Sequence, residues 1–169
     1  ITWNEPILQK YSDALSYAKS KGLKVYIATA LPDYADAYTK EQYLNSNIQY
    51  HTKLANSFKD KVDIWQIYNE PDIRTFKGYK PLTLAELDSA YLEEYVNNFR
   101  AVKNTIKTVS PNVKFTANVS GFPISSEETN TRMNRFFDAV APELDIIALD
   151  LYPLNTQEVG LMKSTVIGF

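Results

Sequence analysis

The chain has 169 residues, with 18 Lys+Arg against 20 Asp+Glu, a formal net charge of −2 and no cysteine. That length suits one domain with a real core, and 44% hydrophobic with 22% charged residues is too apolar for a disordered chain. The balance of charge gives no basic field for nucleic acid, no run approaches the roughly 20 apolar residues of a membrane span, and the lack of cysteine excludes disulfides, thiolate metal sites and a cysteine nucleophile.

The elements alternate along the chain. Pro6 to Lys21 reads as a helix, with Ile7, Leu8, Tyr11, Leu15 and Ala18 on one face and Gly22 as its stop. Leu23 to Ala30 is a short apolar strand. Thr39 opens a second helix with Gln42 as the other half of a capping box, and Leu44, Ile48, His51, Leu54 and Phe58 form its apolar stripe. Val62 to Tyr68 is a second strand. Thr83 and Glu86 form another capping box before a long helix carrying Leu87, Tyr91, Tyr95, Phe99, Val102 and Ile106. Val113 to Val119 is a third strand, Met133, Phe136, Phe137 and Val140 mark a shorter helix, and Leu144 to Tyr152 is a fourth strand.

Strict alternation of this kind predicts adjacent parallel strands in sequence order, joined by crossover helices. The near-continuous apolar runs agree, because such strands are buried on both faces. An open doubly wound sheet and part of a (β/α)8 barrel both fit. With 5 glycines in the whole chain and no glycine-rich turn after a strand, the dinucleotide-binding form falls behind the barrel. Function then belongs at the carboxyl ends of the strands.

The most informative segment lies there: Trp65-Gln66-Ile67-Tyr68-Asn69-Glu70-Pro71-Asp72. A carboxylate where a buried strand opens into a cleft is partly desolvated, which suits a general acid near neutral pH. Asn69 adds a donor and an acceptor at the same mouth, and Pro71 stiffens the exit. A polar turn after a strand has the same composition, and the residues alone do not separate the two readings. His51, the single histidine, sits on a helix stripe and reads as packing, as does Trp65 in mid-strand. No His/Asp/Glu cluster has metal-ligand spacing, and no cofactor is expected.

The pattern Trp-x-x-x-Asn-Glu-Pro over Trp65 to Pro71 resembles the retaining glycoside hydrolases of the clan A type. The resemblance implies a (β/α)8 barrel in which Glu70 is the acid/base and Asn69 hydrogen-bonds the sugar 2-hydroxyl. Leu144 to Pro153 looks like the family's sixth strand, with Tyr152 as an aromatic facing the sugar. Residues 1–169 would then form a single partial TIM-barrel domain, about four parallel strands alternating with helices, lacking strands one, seven and eight. Trp3 and Tyr34 are expected as sugar-stacking platforms, and Asn118 and Asp150 as further sugar contacts. The nucleophile is expected outside the chain, since Glu158 follows the fourth strand too closely to have crossed a helix. Asp63 and Glu70 fall on one strand as acidic residues do in chitinase-like barrels, but position 68 there is an Asp and here is Tyr68.

The expected function is retaining hydrolysis of O-glycosidic bonds in an oligo- or polysaccharide, with a non-catalytic carbohydrate-binding barrel as the alternative. An aldolase-type barrel would need a strand-end lysine, and Lys24 and Lys114 fall early in their strands. The expected partner is a carbohydrate, with no nucleic acid and no membrane, and with another copy or the missing part of the barrel covering the open sheet edges. Lysine far outnumbers arginine and tyrosine is abundant (12 residues), a usage that suits an AT-rich bacterial genome. Ile1 opens the chain without Met or a signal-peptide pattern, as expected of a processed or excised chain. A secreted or cell-surface bacterial location is the matching expectation.

Overall fold

The computed structural model describes residues 4–29, 39–71, 74–75, 78–79, 83–85, 87, 89–120 and 127–150. Four helices, α1 (Glu5–Ser20), α2 (Lys40–Phe58), α3 (Ser89–Val109) and α4 (Glu127–Val140), alternate with strands β1 (Tyr26–Ala28), β2 (Ile64–Gln66), β5 (Lys114–Ser120) and β6 (Ile146–Asp150). A two-stranded antiparallel hairpin, β3 (Arg74–Thr75) and β4 (Gly78–Tyr79), follows β2. Nothing in the sequence reading foresaw it.

The four long-range strands form one sheet in the order β1-β2-β5-β6, every neighbouring pair parallel. This is the sequential order expected, with no reversal of winding. The helices pack in succession, α1 on α2, α2 on α3 and α3 on α4, which lays them along one face of the sheet. Together these features define a partial (β/α)8 barrel and dispose of the doubly wound alternative.

The core lies between sheet and helices. Trp65 pairs in register with Phe115, and these residues, with Ile67, Ala117 and Val119, meet Leu54, Phe58, Tyr95, Phe99, Val102, Ile106, Phe136 and Val140. The alternate positions Ala28, Gln66, Thr116 and Ile146 share one register line, and strand geometry puts them on the opposite face.

Local chemistry sets the helix ends. Asn4 caps α1, its Oδ1 accepting from Ile7 N–H at 3.2 Å, and Gly22 ends it at φ +73°, a region open to glycine. The Thr39–Gln42 capping box of α2 is complete in both directions. Two expectations need correction. On α2, Tyr43 and Asn47 are buried, while Leu44 and Ile48 are only half-buried. The helix is rolled so that Tyr43, Asn47 and His51 turn inward, and His51 reaches Thr29 just beyond β1. The long helix begins at Ser89 rather than at Thr83: a turn closed by Leu87 N–H on Thr83 O (3.0 Å) comes first, with Leu87 sunk into the core. Anchoring Leu87 there interrupts the helix that its spacing suggested.

Candidate active site

The site is built where β2 stops. Beyond Gln66 the chain keeps one further sheet bond, Ile67 N–H to Thr116 O at 3.3 Å, and then turns sharply. Tyr68 has φ +66° and Glu70 φ +46°. Left-handed backbone costs a residue with a side chain about 1–2 kcal/mol, so the surroundings must hold both.

Tyr68 is held by burial. Its ring stands edge-on to His51 and to Tyr95, each 6.0 Å away between centroids. Burial, then the neighbouring Tyr43, pushes its phenol well above the usual tyrosine range, so it stays protonated. Its backbone N–H reaches the Thr29 hydroxyl at 3.4 Å.

That hydroxyl lies 3.1 Å from His51 Nε2, and His51 Nδ1 lies 2.9 Å from Asn47 O. A carbonyl only accepts, so Nδ1 carries the proton and Nε2 is a bare acceptor, competing with the Gln66 carbonyl 3.0 Å away for the single Thr29 hydroxyl proton. Burial drives the His51 pKa down to about 4, against the raising effect of the Asn47 carbonyl. Downstream, Tyr91 on α3 donates to Pro71 O at 2.8 Å and pins the far side of the turn.

Between these anchors lies a cluster of carboxamides. Gln66 Nε2 donates to Asn69 Oδ1 (3.0 Å) and to Asn118 Oδ1 (2.9 Å). Asn118 Nδ2 donates to Asn69 Oδ1 at 3.1 Å, and Asn118 Oδ1 accepts from the backbone N–H of Glu70 at 2.9 Å. Asn69 Nδ2 lies 3.5 Å from Glu70 Oε2. The Tyr26 hydroxyl closes the other end of the cluster on Gln66 Oε1. Gln66 and Asn118 are 2% and 1% exposed, whereas Asn69 and Glu70 are half-buried at the mouth. Such a group can exchange a proton with a ligand at Glu70 and donate a hydrogen bond beside it.

The structure thus brings together Asn69, Glu70 and Asn118 of the residues singled out in the sequence. Asn118, expected at a sugar, lies beneath Glu70 and contacts its backbone. Asp150 ends β6 in register with Ser120, two residues beyond Asn118. Trp3, Tyr34, Tyr152 and Glu158 fall outside the described residues.

Sequence reasoning missed Gln66 and Tyr26. The available signal was a lone amide inside the apolar strand Val62 to Tyr68. It also left Asp63 without a role. Asp63 sits at the amino end of β2, opposite the site, where it holds Lys19 Nζ (2.9 Å), Lys24 Nζ (3.4 Å) and Val25 N–H (2.8 Å). A cavity of about 500 Å³ at that end, lined by Lys19, Asp63 and Lys114 among others, lies away from Glu70. The amino-terminal face of such a barrel serves stability rather than chemistry. Among the described residues no cluster of metal-type side chains occurs, and no helix is long and apolar enough to cross a membrane.

Comparison with solved structures agrees with the fold. The catalytic domain of a GH53 protein from Ignisphaera aggregans superposes with a TM-score of 0.64 at 19% identity, over 86% of this chain and 42% of that one. Fungal β-1,4-galactanase matches with a TM-score of 0.64 at 17% identity, over 94% and 54%. A GH10 structure from Paenibacillus barcinonensis gives 0.57 at 16% identity, over 92% and 51%. The chain therefore spans about half the length of these solved structures, and what it shares with them is the barrel fold of glycoside hydrolase catalytic domains. No protein-family model matches the sequence, and no curated protein sequence does.

Proposed function

We propose that this chain is the central part of a retaining glycoside hydrolase barrel, with Glu70 as its acid/base. The observation that carries the reading is the placement of Glu70: a half-buried carboxylate on a strained turn at the carboxyl end of β2, with the Asn69 amide at its side. The fold shared with glycoside hydrolase domains supports it.

In the first step Glu70 protonates the oxygen of the departing sugar. A second carboxylate, outside this chain and about 5–5.5 Å away, forms the glycosyl-enzyme. Glu70 then takes a proton from the water that breaks it down. Asn69 donates to the hydroxyl next to the anomeric carbon. Asn118 acts from below, holding the Glu70 backbone. Asp150, Tyr152, Trp3 and Tyr34 remain our candidates for sugar contacts. The substrate is an O-linked oligo- or polysaccharide, and a secreted or cell-surface location suits it.

The test uses the polypeptide that carries the whole barrel. Glu70→Ala should lose about 10²–10⁴-fold on a sugar leaving group and far less on dinitrophenyl glycosides, whose leaving group needs no proton. Added azide should restore turnover of the activated substrate and yield a glycosyl azide of retained configuration. Equal small losses on both substrates, without azide product, would reduce Glu70 to a polar turn residue. Sugar binding with no hydrolysis by the wild type would instead favour a non-catalytic carbohydrate-binding barrel.

A further inference from the structure

The orientation of each carboxamide in the cluster follows from a single backbone group. The Glu70 N–H can only donate, so the Asn118 atom 2.9 Å from it is the oxygen. The Gln66 atom 2.9 Å from that same oxygen must then be a nitrogen. Gln66 turns its oxygen away, toward the Tyr26 hydroxyl, which donates to it. Asn118 Nδ2 and Gln66 Nε2 both donate to one atom of Asn69, at 3.1 and 3.0 Å, and that atom is therefore Oδ1. Asn69 is left with its NH2 group facing Glu70 Oε2 and the mouth of the site. Both protons of the Gln66 amide are spent inside the cluster, and Gln66 is 2% exposed.

We infer that Gln66 is a positioning residue, oriented by Tyr26, that locks Asn69 as a hydrogen-bond donor toward the ligand. The site thereby selects an accepting oxygen on the atom next to the one Glu70 serves, and an Asn69 free to rotate would lose that choice. Gln66 touches neither ligand nor Glu70 and acts through Asn69. The sugar assignment of the accepting oxygen rests on the function proposed above, whereas the relay itself does not.

Two measurements separate the relay from that function. Side-chain amide NMR on the polypeptide that carries the whole barrel, with glutamine and asparagine selectively labelled, should show both Gln66 NH2 protons slow to exchange with solvent. Gln66→Glu replaces two donors with acceptors, so the Asn69 amide should rotate and its resonances shift while the backbone spectrum stays folded. Tyr26→Phe removes one hydroxyl from a side chain that is 48% exposed, so the fold survives, and it should loosen the same two amides. Unchanged Asn69 resonances in both variants, or fast-exchanging Gln66 protons in the wild type, would overturn the relay.

In the complete barrel, Gln66→Glu should lower kcat/KM about tenfold or more for aryl glycosides, in line with one hydrogen bond turned from donor to acceptor. The matching 2-deoxy glycosides should change far less. Equal losses on the two series would mean a merely structural role for Gln66. A parent that hydrolyses neither series would remove the proposed function, with the amide spectra still deciding the relay.

Discussion

His51 gives the molecule a pH dependence of its own. In the unfolded chain its imidazole titrates near ~6.5; in the folded chain burial holds it neutral down to about 4. Between those values the unfolded state binds the extra proton, so folding stability falls as pH drops from about 6.5 to 4. The effect should be on the order of 2–3 kcal/mol, at 1.36 kcal/mol per pKa unit. Urea melts at pH 7 and pH 4.5 should show this loss in the wild type. His51→Gln should be less stable at pH 7, because the ring's contacts with Thr29, Asn47 O and the Tyr68 ring are lost, yet nearly flat across the same window. An unchanged slope in the variant would assign the dependence elsewhere. Asp63 acts lower: the Lys19 ammonium and then the Val25 N–H hold its pKa at about 2. Its contribution is lost only as pH falls from about 4 toward 2.

The strands are registered by a repeated element that composition does not advertise. Val62-Asp63-Ile64 and Leu144-Asp145-Ile146 each place an aspartate just before a strand. Asp63 accepts from Val25 N–H at 2.8 Å and Asp145 from Phe115 N–H at 2.9 Å. Each ties its strand to the preceding neighbour in the sheet. Asp63 also holds two lysines, from α1 and from the approach to β1. Asp63→Ala should therefore cost about 1–3 kcal/mol and Asp145→Ala about 1 kcal/mol by denaturant unfolding. Equal costs would mean that the lysines add nothing, as exposed ion pairs often do.

The four helices and the four strands of the sheet were legible from hydrophobic period, and the Thr39 cap from its capping box, whereas the two-residue strands of the β3–β4 hairpin are too short to show a period. The face of α2 was not. Its period points to Leu44 and Ile48, whereas the structure buries Tyr43 and Asn47 along with His51, polar side chains that a hydrophobic period does not count. The candidate site was legible at Asn69 and Glu70, where strand and turn chemistry meet. Gln66 and Tyr26 were hidden inside strands that read as core.

At the scale of the molecule, four strands make an arc, and among the described residues β1 and β6 each have a neighbour on one side only. Tyr26 on β1 is 48% exposed and Ile147 on β6 is 56% exposed. Ile147 pairs with the fully buried Ala117, so its apolar face awaits a cover that Ala117 has. An apolar groove of about 520 Å³ runs along β1 beside Tyr11, Leu15 and Leu54. Unpaired edges of this kind promote association. The isolated 169-residue chain should scatter light as an oligomer at micromolar concentration or bind a hydrophobic dye, and should not hydrolyse aryl glycosides. A dye-negative, active monomer would show that the arc is complete in itself. Sequence order and strand direction were legible because alternation leaves few topologies. How far the arc extends was not, because closure depends on residues beyond any one repeat.

The left-handed backbone at Glu70 sets the chain's durability against the role proposed for its side chain. Ordinarily glycine is the weaker replacement, less stable than alanine by about 0.5–1 kcal/mol within regular structure. At φ +46° the order should invert: Glu70→Gly relieves the clash that Glu70→Ala keeps, and both retain the N–H that Asn118 requires. The glycine variant should melt about 2–4 °C above the alanine variant, as about 1 kcal/mol does in a chain of this size. Alanine melting at or above glycine would mean that the turn is relaxed without its carboxylate. Glycine here would exchange the carboxylate for stability, so under the function we propose the chain carries its acid/base at a cost of about 1 kcal/mol.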